Sequence, residues 1–238
     1  MSYLDAVTRG RKAVPRRTLI YGSHGVGKTT WAAKWDNPVL LPTEDGFHHI
    51  DVASGPLIKT SAGLKQAIKD VRESDFGTII LDSIDWAEKI CSEELDASSF
   101  DQSWGKGAVE LGHRIASILR ELELCRDAGK HIVLVGHEQI TKVVRPDGKE
   151  YGTRSVKLSK HASRVVCEWC DEVLYAECDY LVKSSDGKFG GIAVDKGTRS
   201  LYTANSPLHE AKNRIVGLPE RFELSDFGSY FSYVKGEK

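Results

Sequence analysis

The sequence predicts an α/β fold, with a mostly parallel central sheet, helices on both faces and antiparallel strands towards the C-terminal end. Three observations carry this. Short runs that are apolar almost throughout, "TLIYG" (18–22), "GTIILDS" (77–83) and "KHIVLVGH" (130–137), are separated by segments of helical period. Strands buried on both faces read as such runs, and intervening helices make their sheet parallel. The first run leads into a glycine-rich loop and then a helical segment, "KTTWAAKWD" (28–36). Further on, "EVLYAECDYLV" (172–182), "GGIAVDKG" (190–197) and "TRSLYTA" (198–204) alternate and are linked by glycine-containing turns, the pattern of antiparallel strands.

The remaining elements come in order. "PVLLPTEDG" (38–46) is a second apolar run, ending in acids, and residues 61–73 have helical period. "IDWAEKICSEELD" (84–96) is a helix, and "ASSFDQSWGKG" (97–107) is a loop by composition. Residues 108–128 form the clearest helix: Ile115, Ile118, Leu119, Leu122 and Cys125 recur at three and four residues, and Gly129 stands where a C-terminal cap is expected. Residues 138–164 carry seven basic residues against three acids around the turn-rich "RPDGKEYG", and a mobile segment is expected there. "CEWC" (167–170) reads as a helical turn with both thiols on the core face rather than as a zinc site. Trp31 and Trp35, four apart, read as a core pair. The tail "SDFGSYFSYVKGEK" is expected at the periphery. The predicted organisation is an N-terminal arm (1–17), a core (18–220) and a C-terminal tail (221–238).

The chain has 238 residues, 40% hydrophobic and 28% charged, enough for a packed core. A formal net charge of -1 excludes a generally basic polyanion binder, so any such surface is local. There is no run of eighteen apolar residues to span a membrane, and the first residues lack the apolar centre of a signal peptide. Five cysteines in this setting point to reduced thiols, hence a cytoplasmic protein with no membrane partner.

Gly22-Ser23-His24-Gly25-Val26-Gly27-Lys28-Thr29 fits the phosphate-loop pattern G-x-x-x-x-G-K-[ST]. Its glycines let backbone N–H groups turn in around phosphates, with Thr30 continuing into the helix. The Lys28 ammonium reaches the terminal phosphates, and the Thr29 hydroxyl completes a magnesium shell. Asp82 ends the apolar strand "TIILD", at the edge where open α/β sheets hold ligands, and is the second magnesium group. The expected ligands are therefore ATP and Mg2+; no N/T-K-x-D segment for reading guanine is present. Hydrolysis also needs a group to orient water, and Glu44 and Glu138 both lie at the correct sheet edge.

These features occur in an order that resembles RecA-like ATPases: the glycine loop, Glu44 after the second strand, "IILDS", then His137 with Glu138-Gln139 after the fourth. The chain looks more specifically like small phage-type ATP-binding proteins with a bare RecA core, among them the Sak-type single-strand annealing proteins. "TIILDSIDWAE", "SWGKG", "KLSKHASRVVCEWCDEVLYAE" and "AKNRIVGLPE" carry that likeness across most of residues 18–220. The resemblance implies a RecA-like P-loop core in which Glu44 activates water and His137 senses the terminal phosphate. It implies that Lys212 and Arg214, in "AKNR", reach a neighbouring subunit's nucleotide, so a homo-oligomer, ring or filament, is expected.

The resemblance further implies single-stranded DNA as a partner, a role in phage recombination or replication within the host cytoplasm, and contact with a single-strand DNA-binding protein. Two segments would meet the DNA. Phe100, Trp104 and Lys106 offer aromatic faces and a cation, although a surface loop with its aromatics tucked into the core fits equally well. Lys142, Arg145, Lys149, Arg154 and Lys157 form the second, basic segment; a solvated charged face is the plainer reading. Two other functions fit the loop: a small-molecule or nucleoside phosphotransferase, with residues 142–164 as a lid, and a non-hydrolytic nucleotide-gated assembly module.

Overall fold

The computed structural model describes residues 3–7, 14–184 and 191–237. Residues 1–2 and 8–13 of the expected N-terminal arm, and Gly190 of the expected strand 190–197, lie outside these. The first strand, β1 (Arg17–Gly22), is central. It pairs in parallel with β5 (His131–Val144) on one side and with β7 (Glu172–Ser184) on the other. β4 (Thr78–Asp82) joins β5 in parallel, and β2 (Pro38–Pro42) and the short β3 (Ala53–Ser54) complete that edge. On the other side β8 (Gly191–Tyr202) and β9 (Arg221–Glu223) add antiparallel. The order is β3-β2-β4-β5-β1-β7-β8-β9, with β6 (Glu150–Val156) paired to β5 off this path. The predicted α/β class, parallel centre and antiparallel C-terminal strands are all present.

Alternate residues of each central strand feed two cores. Leu19, Tyr21, Ile79, Leu81, Ile132 and Leu134 face one side. There they meet α2 (Ser61–Arg72), α3 (Ile84–Asp96), α4 (Lys106–Asp127) and α5 (Lys160–Trp169). Ile20, Ile80, Val133 and Val135 face the other, as period-two geometry requires. That second face has little helix from the phosphate-loop side, because α1 (Lys28–Ala32) has only five residues.

The short α1 accounts for a departure from expectation. The tail expected at the periphery forms α6 (Phe227–Val234), and its Phe227, Tyr230 and Phe231 are buried against Trp31 and Trp35. A short α1 leaves Trp31, Trp35 and the strand residues beneath them uncovered, and the rings of Phe222, Phe227, Tyr230 and Phe231, packed edge-on and tilted, close the gap. Trp31 and Trp35 are the core pair expected.

Two further expectations change. The fourth strand does not stop at His137, and the basic segment beyond it is not loose. β5 continues to Val144, turns at Arg145–Lys149 and returns as β6, with Glu138 opposite Val156 and Val144 opposite Glu150. The stretches 190–197 and 198–204 are not two strands but one, β8. Gly197, at φ +73°, absorbs an irregularity where the register shifts opposite Cys178 and Tyr180. No helix among the described residues is long and apolar enough to cross a membrane.

Candidate nucleotide site

The loop between β1 and α1 is tied to the sheet by close backbone approach. A Cβ on Gly22 would collide with the carbonyl oxygen of Ala176 on β7, so only glycine fits there. Val26 is the loop's anchor, fully buried in the second core. Ser23, His24, Gly25 and Thr30 remain at least partly exposed along the loop. Lys28 is 6% exposed, and its ammonium donates to the carbonyl oxygens of Gly22 (3.0 Å) and Ser23 (2.8 Å). No carboxylate among the described residues lies within ion-pair distance of it. Burial lowers its pKa, with Asp82, Asp85 and Glu44 opposing from further off. A nearly buried cation held only by its own loop's carbonyls is a site for a polyanion.

Opposite Lys28 stand the acids that the sheet delivers. Parallel pairing aligns Pro42 with Asp82, and Asp82 with Val135. The carboxyl ends of β2 and β4, and the His137 end of the β5 stretch paired to β1, therefore open on one cavity of about 360 Å³, lined by Lys28, Thr29, Glu44, Asp82 and His137 among others. Thr29 Oγ1 donates to Asp82 Oδ2 at 2.6 Å. Burial raises the Asp82 pKa, while Thr29 and Lys28 hold it back. A hydroxyl and a carboxylate side by side suit magnesium, a hard cation that takes few protein oxygens and keeps several waters.

The remaining groups form a chain. His137 ends the run of β5 that pairs with β1, opposite Gly22. Its Nδ1 lies 2.9 Å from Asp85 Oδ2, and its backbone N–H donates to Asp85 Oδ1 at 3.1 Å. Burial would raise the Asp85 pKa, but the two bonds from His137 outweigh it and hold the carboxyl low. An ionised carboxylate only accepts, so Nδ1 carries the proton and Nε2 is left for the cavity. Nε2 is 3.8 Å from Glu44 Oε1. Partial burial raises the Glu44 pKa, against the pull of His137, and Asp82 and Asp85 push the same way as burial. A carboxylate so placed is a better proton acceptor than an ordinary glutamate. His24 stacks on His137 with centroids 4.0 Å apart, and the His24 pKa is lowered first by His137, then by burial and Lys28.

Five of the residues singled out in sequence, Lys28, Thr29, Glu44, Asp82 and His137, thus meet at one cavity. Glu138, the alternative to Glu44, does not line it: it accepts from Tyr175 Oη at 3.0 Å and lies 3.6 Å from Arg154. Two residues that sequence reasoning missed stand here, Asp85 and Arg199. Lys212 and Arg214 lie elsewhere. The Lys212 backbone pairs with Val173, three strand positions below the Ala176 that faces Gly22, so about 10 Å towards the foot of the sheet. Arg214 pairs with Asp171 at 3.0 Å, sharing it with Arg17, and the Lys212 ammonium donates to the Glu168 carbonyl at 3.4 Å. Neither approaches the loop of its own chain.

The expected DNA segments divide. The aromatics of 97–107 do not tuck into the core: Trp104 is 98% exposed and Phe100 42%. Trp104 also takes φ +55°, uncommon for a bulky side chain, and Lys106 pairs with Asp101 at 2.6 Å. Lys142, Arg145 and Lys149 stand on the β5–β6 hairpin, with Lys142 near Glu150 and Lys149 near Asp147. Arg154 departs from expectation, being held between Glu138 (3.6 Å) and Glu177 (3.8 Å), on the same face of the hairpin as Glu138. The Lys157 backbone N–H donates to the His137 carbonyl at 2.8 Å, which ties the hairpin's base to the site.

A glycine loop on a parallel sheet, a threonine–aspartate pair and a glutamate beside a histidine around one cavity define a P-loop nucleoside triphosphate-binding protein. The AAA domain family matches residues 14–215, and the chain belongs to it. No match was found among curated proteins.

Proposed function

We propose that the chain is a magnesium-dependent ATP hydrolase of RecA-like type that acts on single-stranded DNA, in phage recombination or replication, by annealing or strand exchange. The AAA domain match supports nucleotide hydrolysis in general. The observation that carries the ATP hydrolase reading is the line Glu44–His137–Asp85 facing the Thr29–Asp82 pair across one cavity. Glu44 takes the proton of the attacking water. His137, fixed by Asp85, presents Nε2 as an acceptor beside Glu44, where it can take a hydrogen bond from the attacking water at the terminal phosphate, and Lys28 leaves its loop carbonyls for the phosphate chain. Thr29 and Asp82 would hold a magnesium ion, which would supply charge neutralisation at the phosphate oxygens.

Two features support a reading in which copies of the chain assemble head to tail. Lys212 and Arg214 stand away from their own loop, and Arg214 keeps a side chain 55% exposed. A cation offered to the next subunit's nucleotide would couple turnover to assembly in a ring or filament. For DNA, the supporting features are the exposed Phe100 and Trp104 and the lysines of the β5–β6 hairpin. A single-strand DNA-binding protein is a fitting further partner.

The test is ATP turnover with and without single-stranded DNA, on the intact protein, Lys28→Ala and Glu44→Gln. Turnover without any phosphoryl acceptor, stimulated by DNA, is expected for the intact protein. Lys28→Ala should bind no nucleotide, and Glu44→Gln should bind ATP while losing roughly 100-fold or more in turnover. Turnover that appears only with a small-molecule acceptor would make the protein a phosphotransferase. Wild-type behaviour in Glu44→Gln would remove the hydrolytic reading. Trp104→Ala and a Lys142→Glu, Lys149→Glu pair should weaken DNA binding and spare nucleotide binding; unchanged DNA affinity would sink the DNA assignment.

A further inference from the structure

The triphosphate cavity has two ends. Glu44, His137, Asp82 and Lys28 mark the end expected for the terminal phosphates. The other end is marked by Gly27, Thr30 and Arg199, and these three also line a second cavity of about 320 Å³. Thr30, Trp31 and Lys34 of the first helix and its continuation form one wall; Thr198 with Arg199, and Leu224 with Ser225, form the other. The volume is that of a small-molecule pocket. The two cavities are neighbours, and Gly27, Thr30 and Arg199 stand between them.

Arg199 is set there by the sheet. β8 pairs it with Cys178 on β7, and its carbonyl accepts from the Leu224 backbone N–H at 2.8 Å. Its Nη1 donates to the Val26 carbonyl at 3.2 Å, across the outer side of the phosphate loop. Gly27, at φ +104°, makes this approach possible, since a Cβ there would lie 3.3 Å from Nη1. Among the described residues no carboxylate pairs with Arg199, whereas the nearby Arg221 is held by Asp179 at 3.0 Å. Its other guanidinium N–H groups have no partner among the described residues. A planar cation with free donors at the mouth of a phosphate cavity matches a phosphate oxygen on one edge and the face of a base on the other.

We propose that Arg199 lays its guanidinium on the base of a nucleotide held in its own subunit, and that the cleft between Thr30–Lys34 and Thr198–Ser225 receives the nucleoside. This rests on the triphosphate reading of the glycine loop. The ligand class is a nucleoside di- or triphosphate, with affinity drawn from both cavities. Arg199 then tells a nucleotide from a bare phosphate chain, which the loop alone cannot do. It also joins the antiparallel β7–β8–β9 strands to the occupancy of the loop.

The experiment is equilibrium binding with magnesium, by calorimetry, of ATP, ADP and inorganic tripolyphosphate to the intact protein, Arg199→Ala and Ser225→Trp. Arg199→Ala should weaken ATP and ADP alike, by about tenfold or more, and leave tripolyphosphate within twofold. Ser225→Trp, which fills the cleft from its rim, should also weaken ATP and ADP and spare tripolyphosphate. ATP and ADP affinities within twofold of the intact protein in both variants would overturn the proposal. So would equal losses for ATP and tripolyphosphate, which would place Arg199 on the phosphate chain rather than the base. If the intact protein bound none of the three, the triphosphate reading itself would fail, a result distinct from either variant's.

Discussion

Asp85 holds His137 twice, through the ring Nδ1 at 2.9 Å and through the backbone N–H at 3.1 Å. One carboxylate thus fixes both the position of the strand end and the tautomer of the ring on it. Asp85→Asn keeps the size but presents an amide to Nδ1, which favours the opposite tautomer. ATP affinity should stay within about threefold, while turnover falls by about 10- to 100-fold. Binding and single-turnover rates measured on the same preparation check this; equal losses in both would mean that Asp85 serves only the fold.

Lys28 is buried without a carboxylate at ion-pair distance, so its charge opposes folding of the free protein. Lys28→Met should leave the melting temperature of the nucleotide-free protein unchanged or raise it. It should also abolish the increase that saturating ATP and magnesium produce in the intact protein. Thermal denaturation with and without nucleotide decides the matter, and a lower melting temperature without nucleotide would contradict it.

Glu172 is fully buried at the foot of the sheet, bonded by Thr18 at 2.9 Å and facing Arg16 at 3.3 Å. Burial raises its pKa from 4.5 to about 7, against Arg16 and Thr18. For an acid whose pKa is higher folded than unfolded, the native state holds the extra proton between those values. Stability therefore falls as pH rises from 4.5 to about 7 and stays reduced above. Glu172→Gln should remove that slope and be the more stable form above neutrality, by up to about 3 kcal/mol. Denaturant titrations at acid and alkaline pH measure it; a parallel pH profile in both proteins would refute it.

The α6 helix roofs the second core. Removing residues 227–238 would expose Trp31, Trp35 and the strand face beneath, and Tyr230→Ala alone should cost about 3–5 kcal/mol. Urea unfolding gives the cost. A loss under about 1 kcal/mol would show that the aromatic cluster does not act as a core.

Much of the fold and the site was legible in the sequence where the signal is local. The bounds of α3 coincide with the expected 84–96, because the helix begins immediately after a strand-ending aspartate and a serine. The glycine loop, Thr29 and Asp82 were readable by spacing and position; Glu44 was one of two acids at the right edge until the order of a family favoured it over Glu138, and His137 needed that order. Asp85 was hidden because an acid in the first turn of a helix is favourable there in any case. Arg199 was hidden because only the pairing of β8 with β7, distant in sequence, brings it to the loop. The hairpin escaped because Ile140 and Val144 are exposed and mixed with lysine, so no apolar face announces a strand. The tail's role depended on α1 being short, a property of another element.

The unbroken run of β5 has a mechanical consequence. His137 sits at the junction where the strand leaves the parallel sheet, and seven further residues project to the turn at Arg145. An extended arm of that length reaches about 24 Å. Pivoting it by roughly 5° about the histidine would swing the tip by about 2 Å, an amplification set by the length of the paired arm. Small adjustments around a phosphate would in this way become displacements large enough to engage or release whatever lies along the hairpin's end.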